Sequence, residues 1–158
     1  MNITFTAMTQ ADVAAAAALW HEGWHAGHAA VVPHELMRLR TLESFQDRLG
    51  KHIGATRVAT QNGTVIGFII LHGDEVYQFY LGQAARGTGA ADALMADAED
   101  QLRAAGFKRA WLACTTGNDR AARFYEKSGW SRTRTETLSF ETSDGPFPLE
   151  IWRYEKAL

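Results

Sequence analysis

The fold is decided by one stretch of the sequence, FYLGQAARGTGAADALM, which runs from Phe79 to Met95. It begins with aromatic and aliphatic residues that predict the end of a strand, and it ends in a helical pattern. Between them lies a glycine-rich turn. Consecutive backbone N–H groups at a helix N-terminus form an anion site when no side chains cover them, and Arg86 adds a positive charge. We therefore predict a phosphate-binding loop; an ordinary βα turn is the alternative.

Two familiar kinds of phosphate loop do not match this stretch. A P-loop needs Lys and then Ser or Thr after its last glycine, and Ala90 and Ala91 stand there. A Rossmann fingerprint needs a third glycine and an acidic residue at the end of the next strand. That strand ends in Ala113-Cys114-Thr115. A nucleotide cofactor of another kind is indicated.

The chain on either side of this stretch predicts strands and helices in a mixed order. Asn62-Gly63 is a strong hairpin signal. Strands are predicted at Ile3–Ala7, Thr56–Ala59, Thr64–His72, Glu75–Leu81, Arg109–Cys114, Arg134–Glu141 and Leu149–Glu155. Helices are predicted from about Thr9 to Gly27 and over Leu42–Ile53, Gly89–Ala105 and Asp119–Ser128. An antiparallel meander followed by a β-α-β-α half indicates an α+β fold: a mixed, twisted sheet of six or seven strands flanked by helices.

Length and composition limit the class of protein. The 158 residues suit a single domain, 1–158, and 46% of them are hydrophobic. A net charge of −2 gives no basic field for nucleic acid or anionic lipid. The lone Cys114 excludes an internal disulfide and is expected in the core. No secretory signal is visible, and the apolar run Val13–Trp20 is too short to cross a membrane. We expect a soluble cytoplasmic domain with neither a nucleic-acid nor a membrane partner.

Two motifs carry a resemblance to a known family. Arg86–Ala91, RGTGAA, resembles the Q/R-x-x-G-x-G/A motif of the GNAT superfamily of acetyl-CoA-dependent N-acetyltransferases, in its bacterial small-molecule branch. Asn118–Trp130, NDRAARFYEKSGW, resembles its second signature, N-x-x-A-x-x-F-Y-E-K-x-G-F. The motifs have the family's order and separation, and with the preceding strand they cover about Glu75 to Trp130. Two departures are Gln83, where many members carry Pro, and Ala90, in place of a bulkier residue.

The resemblance implies a GNAT-like domain that transfers an acetyl group directly from acetyl-CoA to a primary amine, without a metal. In the family, the strand before the first motif splays from its parallel neighbour and opens a V-shaped slot for the cofactor, and its backbone binds the oxyanion. Homodimers are common in the family, so a homodimer is a further expectation. The residues implied in cofactor binding are Leu81, Arg86, Gly87, Thr88, Gly89, Ala90, Ala91 and Asn118.

Two residues are candidates for proton transfer. The resemblance implies that Tyr125 lies near the thioester sulfur and protonates the leaving thiolate; the alternative is a core aromatic. Glu75, at the start of the strand that carries the cofactor, is the candidate general base; the alternative is an exposed turn carboxylate. The other candidate bases or substrate contacts are His72, His21 and His25.

One further motif suggests different chemistry. His21-Glu22-Gly23-Trp24-His25 matches H-E-x-x-H, the helical zinc motif of metalloproteases. However, Gly23 weakens a helix, and the nearest third ligand, His28, lies beyond Gly27. We therefore interpret this segment as lining the acceptor slot, with Trp24, His25 and His28 as substrate contacts, and keep a zinc hydrolase as a remote alternative.

The acceptor itself is left open. The segments His21–Ile53 and Ser143–Pro148 would set it; they are aromatic and His-rich, which mildly favours a small or amino-acid-like amine. An antibiotic, a polyamine, an amino acid and a protein N-terminus all remain candidates. Arg120, Arg123 and Lys127, with Arg132 and Arg134, form either a contact for the 3′-phosphate of CoA or a solvated surface. A catalytically silent acyl-CoA-binding module is the alternative function.

Overall fold

The computed structural model describes residues 2–158, which form seven strands and five α-helices. The strands are β1 (Ile3–Ala7), β2 (Thr56–Gln61), β3 (Thr64–His72), β4 (Glu75–Leu81), β5 (Arg109–Thr115), β6 (Ser131–Thr142) and β7 (Gly145–Ala157). The helices are α1 (Val13–His28), α2 (His34–Leu39), α3 (Leu42–Lys51), α4 (Ala90–Ala104) and α5 (Asp119–Lys127). None of these helices is long and apolar enough to cross a bilayer.

The strands form one mixed sheet in the order β1-β2-β3-β4-β5-β7-β6. Every neighbouring pair is antiparallel except β4 and β5, which are parallel. The α+β prediction is therefore confirmed, with seven strands. The parallel pair arises because α4 crosses from the end of β4 to the start of β5.

Helices cover both faces of the sheet, and successive residues of a strand point to helices on opposite faces. Phe68 and Ile70 of β3 pack with α1 and α3, whereas Ile69 between them packs with α4 and α5. All three side chains are fully buried. A strand buried on both faces explains the continuous apolar run in β3, because neither face meets water.

The sheet opens where β4 and β5 part. The only ladder pair between them joins Glu75 and Trp111, at the start of β4. The register of β4 against β3 also shifts here, since Gln78 pairs with Ile70 but Val76 pairs with Leu71. Tyr77 is therefore an extra residue, a β-bulge, and bulges bend the strand that carries them. The two strands separate beyond this point, which opens a V-shaped cleft.

The structure differs from the local predictions in three places. Helix α1 does not end at Gly27 but continues to His28, and a Cβ at Gly27 would lie 3.3 Å from the side-chain amide nitrogen of Asn118. The glycine there permits close packing instead of ending the helix. Helix α2 was not predicted, because six residues are too few to show a helical period.

The third difference concerns the end of the chain. Pro146 and Pro148 precede the strand predicted at Leu149–Glu155, but they lie in β7, which runs from Gly145. Both pair with β6, while β5 pairs with β7 only from Ile151 onward. Residues 145–150 of β7 therefore form a sheet edge on one side, where a missing N–H is tolerated.

Candidate active site

The larger of two cavities is an open cleft of about 900 Å³ in the gap between β4 and β5. It is bounded by the end of β4, the glycine-rich turn, one side of α5 and one side of α1. Its volume is within the range of sites that hold a cofactor-sized ligand. The predicted residues that line it are Leu81, Arg86, Gly87, Gly89, Ala91 and Asn118.

The glycine-rich turn leaves its backbone amides unpaired. Gly87 and Gly89 have φ of +75° and +86°, a left-handed conformation that glycine adopts without strain. Among residues 2–158, no backbone acceptor is bonded to the amides of Gly87, Thr88, Gly89 or Ala91. Four N–H groups at the start of α4 are therefore available to an anion, as the motif predicts.

Two amides of the turn are already engaged. The N–H of Arg86 donates to the carbonyl of Gln83 at 3.1 Å, closing a short 3-10 turn. The N–H of Ala90 lies 3.4 Å from Oγ1 of Thr88, which itself donates to the carbonyl of Ala85. These two amides are therefore less available to a ligand than the other four, and Arg86 can offer its guanidinium instead.

Positive charge is concentrated on the walls of the cleft. Partial burial and, to a smaller extent, the nearby charge of Arg120 lower the pKa of Arg86. Arg120, Arg123 and Lys127 also line the cleft, whereas Arg132 and Arg134 do not. A site with several cations and unpaired amides is suited to phosphate groups.

Asn118 caps α5 and faces the cleft with the other half of its amide. Its Oδ1 accepts from the N–H of Ala121 at 3.4 Å. Its Nδ2 has no partner among residues 2–158, so it is free to donate. The cap therefore fixes the orientation of the amide that the ligand would meet.

The edge of β4 presents backbone groups to the cleft. The N–H of Gly82, just after β4, donates to the carbonyl oxygen of Ile66 in β3 at 2.7 Å, so Gly82 and Ile66 form a hydrogen-bonded pair. Because such pairs alternate along an antiparallel ladder, Phe79 and Leu81 turn their N–H and C=O groups away from β3, toward the cleft. A ligand with amide groups can pair with this edge as an added strand.

A second cavity, of about 80 Å³, lies at the closed end of the V. Glu75 lines it and is only 9% exposed, so it is not the exposed turn carboxylate of the alternative interpretation. Burial, with a smaller contribution from Asp74, raises the pKa of Glu75 to about 7. A carboxyl group with this pKa can accept and release a proton near neutral pH.

The two cavities share one wall. The five residues that line both are Phe79, Tyr80, Asn118, Ala121 and Tyr125. Tyr125 is half-buried, and its hydroxyl has no hydrogen-bond partner among residues 2–158. Burial raises the pKa of Tyr125 far above its usual range, so the hydroxyl keeps its proton at neutral pH.

Of the three predicted acceptor contacts, only two reach the smaller cavity. Trp24 and His28 line it, with their rings stacked 4.6 Å apart. His28 Nδ1 donates to the Trp24 carbonyl at 2.8 Å, and Nε2 accepts from Thr115 Oγ1 at 3.1 Å. Burial lowers the pKa of His28 to about 4, so this ring is neutral. His28 can therefore offer a surface but not a base.

His25 lies elsewhere. Its Nε2 is 2.6 Å from the carbonyl of Arg40, and it lines neither cavity. Its role as an acceptor contact is not supported by this position. The centre of the His21 ring lies 4.6 Å from that of His25, with the two rings tilted by 55°. Residues 2–158 contain no group of three His, Cys, Asp or Glu side chains arranged to hold a metal.

Cys114 is buried, as predicted, and packs in the core beneath α5. It also lines the smaller cavity. Burial raises the pKa of its thiol to about 12. The group therefore stays protonated at neutral pH and lacks the thiolate that a nucleophilic cysteine requires.

The comparisons with known proteins agree with this geometry. Residues 13–130 match the model of the acetyltransferase (GNAT) family, about three quarters of the chain. This chain belongs to the GNAT family. An uncharacterized N-acetyltransferase of Mycobacterium tuberculosis is 35% identical over 89 residues, which cover 53% of this chain and 57% of that protein. The chain thus matches little more than half the length of this curated relative.

Solved structures share the fold over nearly the whole chain. A GCN5-related N-acetyltransferase from Rhodopseudomonas palustris superposes with a TM-score of 0.79 at 21% identity, covering 100% of this chain and 97% of that one. The PaiA N-acetyltransferase from Thermoplasma acidophilum, solved with coenzyme A, has a TM-score of 0.76 at 19% identity and full coverage of both chains. At these identities, the likeness establishes the GNAT fold.

Sequence reasoning missed two residues of the smaller cavity in this GNAT domain. Arg40 and Arg48 line it and are 3% and 5% exposed. Arg48 follows Phe45 by three residues and precedes Leu49, so it lies on the apolar face of α3. An arginine on the buried face of an amphipathic helix is unusual, and this was the signal in the sequence that could have identified it.

Proposed function

We propose that this chain transfers an acetyl group from acetyl-CoA to the primary amine of a small acceptor. The observation that carries the proposal is the wall shared by the two cavities. An anion-binding cleft on one side and a cavity with a base of suitable pKa on the other meet at Tyr125. Two reactants bound on the two sides would meet at that wall.

The larger cleft suits acetyl-CoA in three respects. Unpaired amides of Gly87, Thr88, Gly89 and Ala91 fit its pyrophosphate, and the nearby cations fit its other phosphate. The outward-turned backbone of β4 fits the amide groups of its pantetheine arm. The free Nδ2 of Asn118 is a further donor on the opposite side. Acetyl-CoA supplies the acetyl group as a thioester.

The residues at the shared wall divide the proton transfers between them. Glu75 takes a proton from the acceptor ammonium, directly or through a water, so that the nitrogen can attack the thioester carbon. The N–H of Leu81, turned toward the cleft, donates to the oxygen that becomes negative. As the C–N bond forms and the C–S bond breaks, the hydroxyl of Tyr125 gives its proton to the sulfur, and the second proton of the attacking nitrogen returns to the Tyr125 oxygen, directly or through a water.

Glu75 also has a route for returning its proton to water. Its Oε1 lies 3.7 Å from Nδ1 of His72, whose side chain is 79% exposed. This is longer than a hydrogen bond, but a small rotation or one water joins the two groups. In this scheme His72 relays the proton and Glu75 is the base.

The experiment is a calorimetric titration of the protein with acetyl-CoA, followed by an assay of thiol release with a library of primary amines. We expect 1:1 binding near micromolar affinity and amine-dependent release of CoA. Binding without release for any amine would favour the silent acyl-CoA-binding module. Absence of binding to folded protein would refute the assignment of the cleft.

A further inference from the structure

The smaller cavity contains two arginines that have no carboxylate partner. No ion pair among residues 2–158 includes Arg40 or Arg48. Glu141 meets Arg40 only through its backbone carbonyl, and its side chain is paired with Lys51, whose Nζ lies 2.6 Å from Oε1 of Glu141. Fully buried arginines are rare unless they are paired. Two of them in one cavity require an explanation.

The hydrogen bonds of the two guanidiniums are incomplete. Arg40 Nη1 donates to the carbonyl of Glu141 at 2.7 Å, and Arg48 Nη2 donates to the hydroxyl of Tyr77 at 3.3 Å. The Nε of each is buried without any partner. Each guanidinium can donate five hydrogen bonds, so most of its capacity is unused. Unpaired buried charge destabilises a fold, and a ligand of opposite charge removes that penalty.

A purely structural role explains only part of this arrangement. The guanidinium carbon of Arg48 lies 4.4 Å from the centre of the Trp20 ring, a cation–π contact that supports it from one side. Burial and the neighbouring charge of Arg48 lower the pKa of Arg40 to about 10, so Arg40 is still charged at neutral pH. The contact with Trp20 does not account for the second cation, Arg40, or for the unpaired Nε groups of both arginines.

Glu75 lines the same cavity as the two arginines. The cavity therefore presents a carboxylate and two guanidiniums, which together complement a molecule bearing both an amine and a carboxylate. Arginine forks bind carboxylates with two parallel hydrogen bonds, which also fixes orientation. The remaining walls include apolar side chains from three elements: Leu36, Phe140 and Leu149.

We propose that the acceptor is a small amino acid or a close analogue, whose carboxylate is bound by Arg40 and Arg48 while its amine faces Glu75. This inference rests on the proposed acetyl transfer and specifies its second substrate. The cavity volume of about 80 Å³ favours a small acceptor over a polymer. Binding the carboxylate would hold the amine beside the shared wall.

The first test is an acceptor panel in which only the carboxylate changes. The probes are L-alanine, β-alanine, L-methionine and L-phenylalanine, each assayed beside its own carboxamide with acetyl-CoA. For the best acid, we expect kcat/KM about 100-fold above that of its amide, mainly through KM. An amide that matches or exceeds its acid would overturn the inference and leave acetyl transfer intact.

Variants test whether the two arginines are responsible. Arg40→Gln and Arg48→Gln should abolish the preference for the acid, while Arg48→Lys should restore part of it because it keeps the charge. Arg38→Gln, two residues from Arg40 but exposed, is the matched control and should change nothing. Affinity for acetyl-CoA should be the same in all four variants. A preference that survives both Gln variants would remove the arginines from acceptor recognition.

A binding experiment decides the matter if no probe is acetylated. Acetate is titrated at constant ionic strength into CoA-saturated protein with ¹⁵N-labelled arginine, and acetamide serves as the control. We expect acetate alone to shift the Nε–H signals that disappear in Arg40→Gln and Arg48→Gln. Absence of a shift, or a response to inorganic phosphate but not to acetate, would overturn the inference. Failure of acetyl-CoA to bind would instead contradict the proposed function.

Discussion

The two cavities that meet at Tyr125 are built in opposite ways. The larger cleft is open, and its main ligand-binding groups are backbone amides of one turn, with exposed cations around them. The smaller cavity is narrower, and its groups are side chains from α1, α2, α3 and α5, from β4, β5, β6 and β7 and from the loops beside them. The first depends on local chain conformation, whereas the second depends on how distant segments pack.

This difference has a consequence for specificity. A cradle of amides needs only glycines at the right positions, so it tolerates change in the side chains around it. A cavity of buried side chains changes its ligand when one residue changes. Variants on the two sides should therefore separate cofactor affinity from turnover and acceptor choice.

The largest expected effect is on the acceptor side, at Glu75. Glu75→Gln removes the base, so we expect kcat about 1,000-fold lower with acetyl-CoA affinity unchanged. Since the pKa of Glu75 is about 7, the wild-type rate should rise as pH increases through 7, and the variant should lose this rise. Steady-state rates from pH 5.5 to 9 measure both effects. Glu43→Gln, an exposed carboxylate on α3, is the control.

The same group predicts how stability depends on pH. The pKa of Glu75 is higher in the folded state, about 7, than its ordinary 4.5, so the folded protein binds the proton more tightly. This tighter proton binding adds to the free energy of unfolding. The added stability is fully present below pH 4.5 and is lost as pH rises through 7, by up to about 3 kcal/mol. Urea unfolding at pH 5 and pH 8 measures this loss. The free energy of unfolding should fall less between the two pH values in Glu75→Gln than in the wild-type protein. An equal loss in both proteins would contradict the buried state of Glu75.

The next effect belongs to the cleft. Gly89→Asp places a negative charge among the amides, and we expect acetyl-CoA affinity to fall about 100-fold by calorimetry. The helix itself should persist, since an acidic side chain at a helix N-terminus is favourable and Asp tolerates a positive φ better than most residues. Gly106→Asp, at the other end of α4 with φ of +93°, shares the strain but not the site. Equal losses in both variants would show strain rather than anion binding.

A smaller effect is expected at the shared wall. Tyr125→Phe removes the proton donor, but a thiolate is a good leaving group, so we expect kcat to fall about tenfold with unchanged cofactor affinity. Tyr154→Phe is the matched control, because its ring lies 5.8 Å from that of Tyr125 and its hydroxyl is bonded to Glu126. The control should lose stability and keep its rate. A wild-type rate in Tyr125→Phe would exclude Tyr125 from proton transfer.

The smallest effect concerns the cations of the cleft. Arg120→Ala should weaken acetyl-CoA binding about threefold, because an exposed charge is screened by water and salt. The loss should shrink when NaCl is raised, which calorimetry at two ionic strengths detects. Arg134→Ala, from the same basic cluster but outside the cleft, should have no effect. If both variants bind equally well, the cluster is a solvated surface, as the alternative interpretation holds.

Much of the fold was predictable because its signals are local. The bounds of β3 and β4 agree with the prediction to the residue, since Asn62-Gly63 marks the turn before β3 and Gly73-Asp74 marks the turn between β3 and β4. Predictions failed where tertiary packing overrides local preference. Gly27 lies within α1 because Asn118 packs against it, and Pro146 lies in β7 because that part of the strand has only one neighbour.

The same distinction between local signals and tertiary packing holds for the residues of the candidate site. Gly87, Gly89 and Asn118 were identified from a motif and line the cleft, because the roles proposed for them depend on backbone conformation and a helix cap. His25 was placed at the acceptor, yet its ring bonds to the Arg40 carbonyl instead. Its helical spacing from His21 was correct, but spacing does not show which face of a helix meets a cavity.

The sequence by itself determined the succession of the seven strands, the glycine-rich turn before α4 and the family, because each depends on residues that are neighbours in the chain. Only the tertiary structure decided the separation of β4 from β5 beyond Glu75, the burial that raises the pKa of that carboxyl group, and the placement of Arg40 and Arg48 beside it. These features arise from contacts between distant segments. Burial and charge proximity set the chemistry of a side chain, and neither is encoded in its immediate neighbours.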